Sequence, residues 1–423
     1  MTFHLLFQNL GSLSGDGILL FITRSARMFA YGFLPVVLML YLAQVGLNET
    51  QIGLLLTLTL VGDTIISLWI TTNADRLGRR RMLIIGAILM VFAGVLFTST
   101  GNFLLLLIAA TIGVISPSGY EVGPFLSIEQ AALSQIVSNE QRTKVFAWYN
   151  LIGSFATALG SLCGGLLAQG MQEVGLTPLG SYRVIVIGYG AIGLALAALF
   201  TRVSPAVEIS QTKIPSGFPS DIKNRFGLHR SRKIVLKLSA LFSLDAFAGG
   251  FVLQSILAYW FHVRFNVQPA LLGSIFFGAN ILAGLSALSA SWVASRIGLI
   301  RTMVFTHIPS NILLILVPLM RNLPLAITML LLRFSISQMD VPTRQSYTMA
   351  VVSPDERSAA AGITGIARTI GASLSPVFTG PLLATSALLN LPFFLSGGLK
   401  IMYDLLLYRS FRAIKPPEEK EGA

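Results

Sequence analysis

Charge is scarce in this chain. Only 11% of its 423 residues are Asp, Glu, Lys or Arg, and 54% are hydrophobic. Soluble domains carry about 25% charged residues, so packing as a water-soluble globule is excluded. Cysteine is almost missing. Cys163 stands alone, which excludes an intrachain disulfide and a cysteine metal cluster. There is no G-x-x-x-x-G-K-[ST] loop, so ATP-driven work within this chain is not expected. HExxH, CxxC and GxSxG are also absent, and no catalytic set takes their place. The expectation is a protein that is not an enzyme and carries no metal and no cofactor. The opening MTFHLLFQNLGSLSGDG lacks a basic n-region, so no cleaved signal peptide is read there.

What the chain has in quantity is long apolar runs. A span needs roughly 20 mostly apolar residues, and such runs recur along the whole length. With no water in the bilayer core, they must be helices or a closed barrel. They are continuous and lack the in/out alternation of barrel strands, which predicts helices. Twelve spans are expected, at 18–45, 51–73, 82–99, 103–129, 146–169, 184–202, 238–263, 270–294, 302–320, 323–350, 359–386 and 391–408. Two connections are long, 170–183 and the polar 203–237. The second divides the spans six and six. The expected organisation is therefore an all-α membrane protein of two six-helix bundles, 1–202 and 238–408. A linker at 203–237 joins them and a tail at 409–423 follows.

Basic residues orient the spans. With both termini in the cytoplasm, only Arg183, Arg264 and Arg321 lie outside. Arg24, Arg27, Arg333, Arg344, Arg368 and Lys400 lie within spans. All others of the 30 Lys and Arg fall on cytoplasmic segments. This is the positive-inside pattern, and it accounts for the net charge of +12. These charges set topology and meet anionic lipid heads; a nucleic-acid partner is not expected. The short tails and the lack of a transit signal point to a plasma (inner) membrane.

The two halves look alike. Shifted by 220 residues, ADRLGRRRM (Ala74 to Met82) falls on ASRIGLIRT (Ala294 to Thr302), and Gly53 on Gly273. Shifted by 215, Glu140–Gln141–Arg142 falls on Asp355–Glu356–Arg357, Gln130 on Gln345 and Gly165 on Gly380. Ordered matches of this kind mark a transporter built from two similar halves. The loop between spans 2 and 3 carries Asp75, Arg76, Gly78, Arg79 and Arg80 in the register of G-x-x-x-D-R/K-x-G-R-R/K. On that loop the chain resembles the major facilitator superfamily, over nearly its whole length. It departs at the first position, where Thr71 replaces the glycine. SNEQRTKVFAWYN and SPDERSAAAGITG are similar to the family's loops 4–5 and 10–11. Gly153, Gly160, Gly164 and Gly165 resemble its glycine-rich fifth helix. The resemblance implies that Asp75 sits against the N-terminus of span 11 as part of a cytoplasmic gate with Arg76, Gly78 and Arg79. The other reading of Asp75 is a solvated acid paired with Arg76 or Arg79.

Charges inside spans are expensive and usually face a cavity. Arg24, Arg27, Glu121, Glu129, Asp245, Arg333, Asp340 and Arg344 lie on spans 1, 4, 7 and 10, the helices that line the central cavity in the superfamily. Asp63, Arg368, Lys400 and Asp404 lie elsewhere. Arg24, Arg27 and Tyr31 form one stripe, and Arg333, Asp340 and Arg344 another. The eight are balanced in sign, so a neutral cavity is expected. Glu129 and Arg344 read as ion pairing that ties the cytoplasmic ends of the halves, or as part of the gate. Arg24 is near enough to the interface to snorkel. A carboxylate in a low-dielectric cavity is disfavoured in its charged form and can carry a proton. Glu121, Asp340 and Asp245 are the candidates, the last expected beside Arg24 and Arg27; structural pairing is the other reading of each. Arg27 and Arg333 are candidates for an anionic group of the substrate. ISPSGYEVGP (Ile115 to Pro124) predicts an interrupted helix that brings Tyr120 and Glu121 to the substrate. Pro342 predicts a similar break on span 10. His307 is read as packing.

Together these features predict a monomeric secondary transporter that moves a small solute by alternating access, probably with protons. A membrane sensor or assembly subunit on the same scaffold is the alternative.

Overall fold

A computed structural model describes residues 14–121, 123–137, 139–208, 230–353 and 356–414. The described residues are helical, with no strand among them. Eight helical segments are long and apolar enough to cross a membrane, or nine when one bent pair is counted as a span. That pair is α1 (Gly15–Phe33) and α2 (Pro35–Gln44), which meet at 44°. Pro35 has no N–H to give to the preceding turn, which opens the ladder there.

The next helices are α3 (Glu49–Leu77), α4 (Arg79–Ser99), α5 (Phe103–Ile112) and α6 (Phe125–Ile136), then α7 (Asn139–Glu173) and α8 (Pro178–Phe200). After them come α9 (Arg232–Gly250), α10 (Gln254–Phe265), α11 (Pro269–Ile297) and α12 (Leu299–Leu316). The last are α13 (Leu323–Ile336), α14 (Asp340–Val351), α15 (Arg357–Leu374), α16 (Pro376–Leu383) and α17 (Leu391–Phe411). The segments expected as spans 4, 10 and 11 are each built of two shorter helices, α5 with α6, α13 with α14, and α15 with α16.

The interruption expected at Ile115 to Pro124 is present, and the non-helical stretch begins already at Gly113. The break on span 10 falls just before Pro342, at Ser337–Met339. The expected loop 170–183 is much shorter, because α7 runs to Glu173 and α8 begins at Pro178. Thr177 accepts from the N–H of Gly180 at 3.1 Å and Pro178 occupies the first helical position, a start signal that outweighs the loop-like composition.

Packing gathers the chain into two compact units. Unit 1 holds residues 1–47, 62–216 and 268–277; unit 2 holds 48–61, 217–267 and 278–423. The short pieces 48–61 and 268–277 are equivalents in the 220-residue repeat. Within unit 1, a Cβ on Gly165 would lie 2.8 Å from the Cα of Gly273. Within unit 2, a Cβ on Gly53 would lie 2.9 Å from the Cα of Gly380. These are the same contact made twice, on the residues that the sequence repeat pairs.

The tightest seam in unit 1 joins α1 to α7. A Cβ on Gly160 would sit 2.0 Å from the carbonyl oxygen of Phe29, and one on Gly32 1.9 Å from that of Thr157. Unit 2 repeats the seam between α9 and α15, where a Cβ on Gly371 would meet the Ser243 carbonyl at 2.2 Å. Small residues of this kind let backbones approach and gain dispersion contact where lipid offers no hydrophobic drive. Gly160→Ala must push α1 off α7 and should cost about 1–3 kcal/mol. Gly398→Ala, in mid α17 with open space around it, should be neutral or gain up to ~1 kcal/mol from helix propensity. Thermal unfolding of the two purified variants checks the contrast, and equal melting temperatures would refute it.

Candidate functional site

Each unit holds its own cluster of buried ions. In unit 1 the centre is Arg27 on α1, fully buried. Its two terminal nitrogens donate to the two carboxylate oxygens of Glu129 on α6, both at 2.7 Å. Its Nε donates to Glu121 at 3.0 Å. Arg24, one turn earlier on α1, donates to the other Glu121 oxygen at 2.7 Å, to the Tyr149 carbonyl at 2.8 Å and to Asn150 at 3.3 Å. Thr23 and the Tyr149 hydroxyl also donate to Glu129. Two guanidinium planes rest on aromatic faces, Arg24 on Tyr149 at 4.3 Å and Arg27 on Phe125 at 4.6 Å.

The local sequence explains the arrangement. The i, i+3 spacing puts Arg24 and Arg27 on one face of α1. Gly153 on α7 leaves the space that Arg24 fills, since a Cβ there would meet its Nε at 2.9 Å. The helix break at 113–124 lets Glu121 leave the helical register and reach both arginines. Glu121 is also the most open of the four, with 16% of its side chain exposed.

In unit 2 the centre is Asp245 on α9. One oxygen accepts from Lys400 on α17 at 2.6 Å, and the other meets Arg344 of α14 and Arg368 of α15, both at 3.4 Å. Arg344 also pairs with Asp340 one turn earlier, at 2.6 Å. On the far side of Asp245, His307 of α12 lies at 3.9 Å and bonds Asp404 at 2.9 Å. Asn311 donates to the second Asp404 oxygen at 3.2 Å. Three cations face three carboxylates here, and two face two in unit 1, so both clusters are neutral with His307 uncharged.

Several expectations change. Arg24 does not snorkel; it is buried and held by three partners. Asp245, expected beside Arg24 and Arg27, takes its cations from α14, α15 and α17 of its own unit. The partners of Glu129 and Arg344 described above also lie within their own units. His307, read as packing, is buried in the ion network. Low dielectric is the common reason: a buried charge costs several kcal/mol unless a partner of opposite sign is within reach, and the nearest such groups lie on neighbouring helices. Arg368, Lys400, Asp404, Tyr149 and Thr23 were absent from the candidate site. Lys400 and Asp404 did carry a signal, as opposite charges at i, i+4 on an otherwise apolar helix.

Tyr31 is fully buried, one stripe further along α1. Tyr120 is exposed beside Glu121. Arg333 ends α13 with its guanidinium 4.9 Å from the Phe334 ring centre. At the end of α3, Asp75 is 55% exposed and accepts from Arg79 at 2.8 Å; Arg76 and Gly78 share that turn. Among the described residues no group of His, Cys, Asp and Glu is arranged to hold a metal ion.

Removing one partner of a buried ion pair is strongly destabilising because it strands the other. Asp245→Asn leaves three cations facing a neutral amide and should cost about 3–5 kcal/mol. Thermal unfolding in detergent reads it; a melting temperature unchanged from the parent would refute the arrangement around Asp245.

The comparisons agree with this architecture. The family model described as Major Facilitator Superfamily matches residues 19–376. The uncharacterized membrane protein YJR124C of Saccharomyces cerevisiae is 31% identical over 441 residues, covering 98% of each chain. Among solved structures, the nucleoside transporter NupG has a TM-score of 0.72 at 14% identity, covering 94% of this chain and 100% of its own. A D-xylose-proton symporter also has a TM-score of 0.72, at 13% identity over 93% and 97%. At these identities the structural likeness establishes the fold.

Proposed function

Because this chain belongs to the major facilitator superfamily and is a multi-pass membrane transporter, we propose that it works as a secondary active transporter. It moves a small solute by alternating access and couples that movement to protons. The proposal places it in the plasma membrane with both termini in the cytoplasm, following the basic residues. The turn at Asp75–Arg79 acts at the cytoplasmic gate.

One observation carries the coupling: Glu121 is a partly exposed carboxylate that bridges two buried arginines. With Glu121 charged, the unit 1 cluster is neutral. When Glu121 takes a proton, two arginines face one remaining carboxylate, Glu129. A negative group on the substrate then finds an unmatched guanidinium. Proton and substrate therefore favour each other's binding, which is the thermodynamic requirement for coupling. In unit 2, Asp340 stands in the same relation to Arg344 and is the second candidate. Transport driven across NupG and the xylose symporter, as their names describe, belongs to the same scaffold.

The test is solute flux into liposomes from a panel of sugars, amino acids and organic acids, with and without an imposed pH gradient. Glu121→Gln mimics the protonated form. It should keep solute exchange between the two sides and lose at least about tenfold of the gradient-driven uptake, a factor worth roughly 1.4 kcal/mol. Asp340→Asn tests the second candidate the same way. Gradient-driven uptake at the parent rate in both variants would remove the coupling assignment. Solute binding without flux under any gradient would favour a sensor on this scaffold.

A further inference from the structure

The repeat has a counterpart at the helix ends that the transport reading does not use. In unit 1, Gly78 links α3 to α4 with φ +102°, a conformation open to glycine. The first N–H groups of α4 are not left to solvent. Those of Arg79 and Arg80 donate to the two oxygens of Glu208, at 2.7 and 3.0 Å. Arg79 adds a bond from its guanidinium to the Val207 carbonyl at 3.2 Å. A carboxylate is favoured at this place by the free N–H groups and the positive end of the helix dipole. Glu208 reaches it from the short segment after α8, eight positions beyond Phe200.

Unit 2 has the same turn. Gly298 links α11 to α12 with φ +88°, and Leu299 and Ile300 are the equivalents of Arg79 and Arg80. At this end of unit 2 lies a cavity of about 1020 Å³. It is bounded by the 291–301 turn, by α14 around Thr343 and Ser346, and by 408–414 at the end of α17. Arg296, Arg301 and Arg412 line it, and no acidic residue does. Arg296 lies over the ring of Trp292 at 4.0 Å. The cavity thus has the charge, the helix start and the place of the Glu208 site.

The sequence supplies an occupant. FTRVSPAVE (Phe200 to Glu208) aligns without a gap on FRAIKPPEE (Phe411 to Glu419), matching Phe200 with Phe411, Pro205 with Pro416 and Glu208 with Glu419. Phe411 ends α17 as Phe200 ends α8. Ile414 itself lines the cavity. The five residues from there to Glu419 span up to ~17 Å when extended, enough to place the carboxylate at the helix start. We propose that this cavity is a carboxylate site whose occupant is Glu419 of the C-terminal tail, capping α12 through the N–H groups of Leu299 and Ile300 as Glu208 caps α4. The tail would thereby strap the end of α17 to the start of α12, two helices already packed on each other through Gly397 and Ile315.

Disulfide trapping on the full chain tests it. In a Cys163→Ser background, Lys420→Cys is paired with Ser295→Cys at the rim, so that Glu419 itself is kept. Fast cross-linking is expected. Adding Glu419→Gln should slow it at least about tenfold, because a hydrogen bond to a charged group is lost, whereas Glu421→Gln should leave it unchanged. No cross-link, or the same rate in Glu419→Gln, overturns the proposal. So does trapping of Lys420→Cys at an equal rate by Asn73→Cys, on the exposed end of α3. The measurement is repeated in nanodiscs of phosphatidylcholine alone and with phosphatidylglycerol. Trapping that collapses in the anionic discs would make a lipid phosphate the occupant instead and would also overturn it.

Discussion

Everything in this molecule is organised by the cost of holding an unmatched charge away from water. The bidentate contact between Arg27 and Glu129 is the clearest case, since neither side chain has any exposure. A guanidinium fork and a carboxylate match in geometry, and Thr23 and Tyr149 take up what remains of the carboxylate. Helices α1, α6 and α7 are fixed relative to one another by that demand. In unit 2 Asp245 does the same for α9, α14, α15 and α17. Glycines let the helix backbones come close, and the ion contacts then choose one arrangement among the many that a smooth apolar surface would allow.

Polar groups at helix breaks follow the same logic. The stretch from Gly113 to Pro124 leaves the helical ladder inside an apolar segment, which is tolerated where neighbours or water meet the freed backbone. Its use is to carry Glu121 away from the line of α6. A continuous helix would have held Glu121 and Glu129 eight residues apart along one axis, too far for Arg27 to reach both. The break turns two carboxylates of one segment into opposite walls around a single arginine.

Much of this was legible in the amino-acid order. Apolar runs located most segments, and the Pro and Gly of ISPSGYEVGP located the break. The repeat paired Gly53 with Gly273 and Gly165 with Gly380, and those four residues make two equivalent contacts. Partner choice was not legible. Asp245 lies on a helix with no acid or base at i±3 or i±4, so its sequence neighbourhood says nothing of Lys400, 155 residues away. His307 looked like packing because its partners Asp404 and Asn311 are recognisable only once α12 lies against α17. Helix starts set by caps, such as Thr177–Pro178, were also hidden by their polar, loop-like composition.

The charge balance of the two clusters has an electrical consequence. One elementary charge crossing 100 mV exchanges about 2.3 kcal/mol with the membrane field. Two cations with two carboxylates, and three with three, carry no net charge, so the field does almost no work on the empty protein as these groups change sides. A bound proton or charged solute breaks that balance. The membrane potential therefore acts on the loaded molecule and leaves the return of the empty one to proceed at nearly the same rate whatever the voltage.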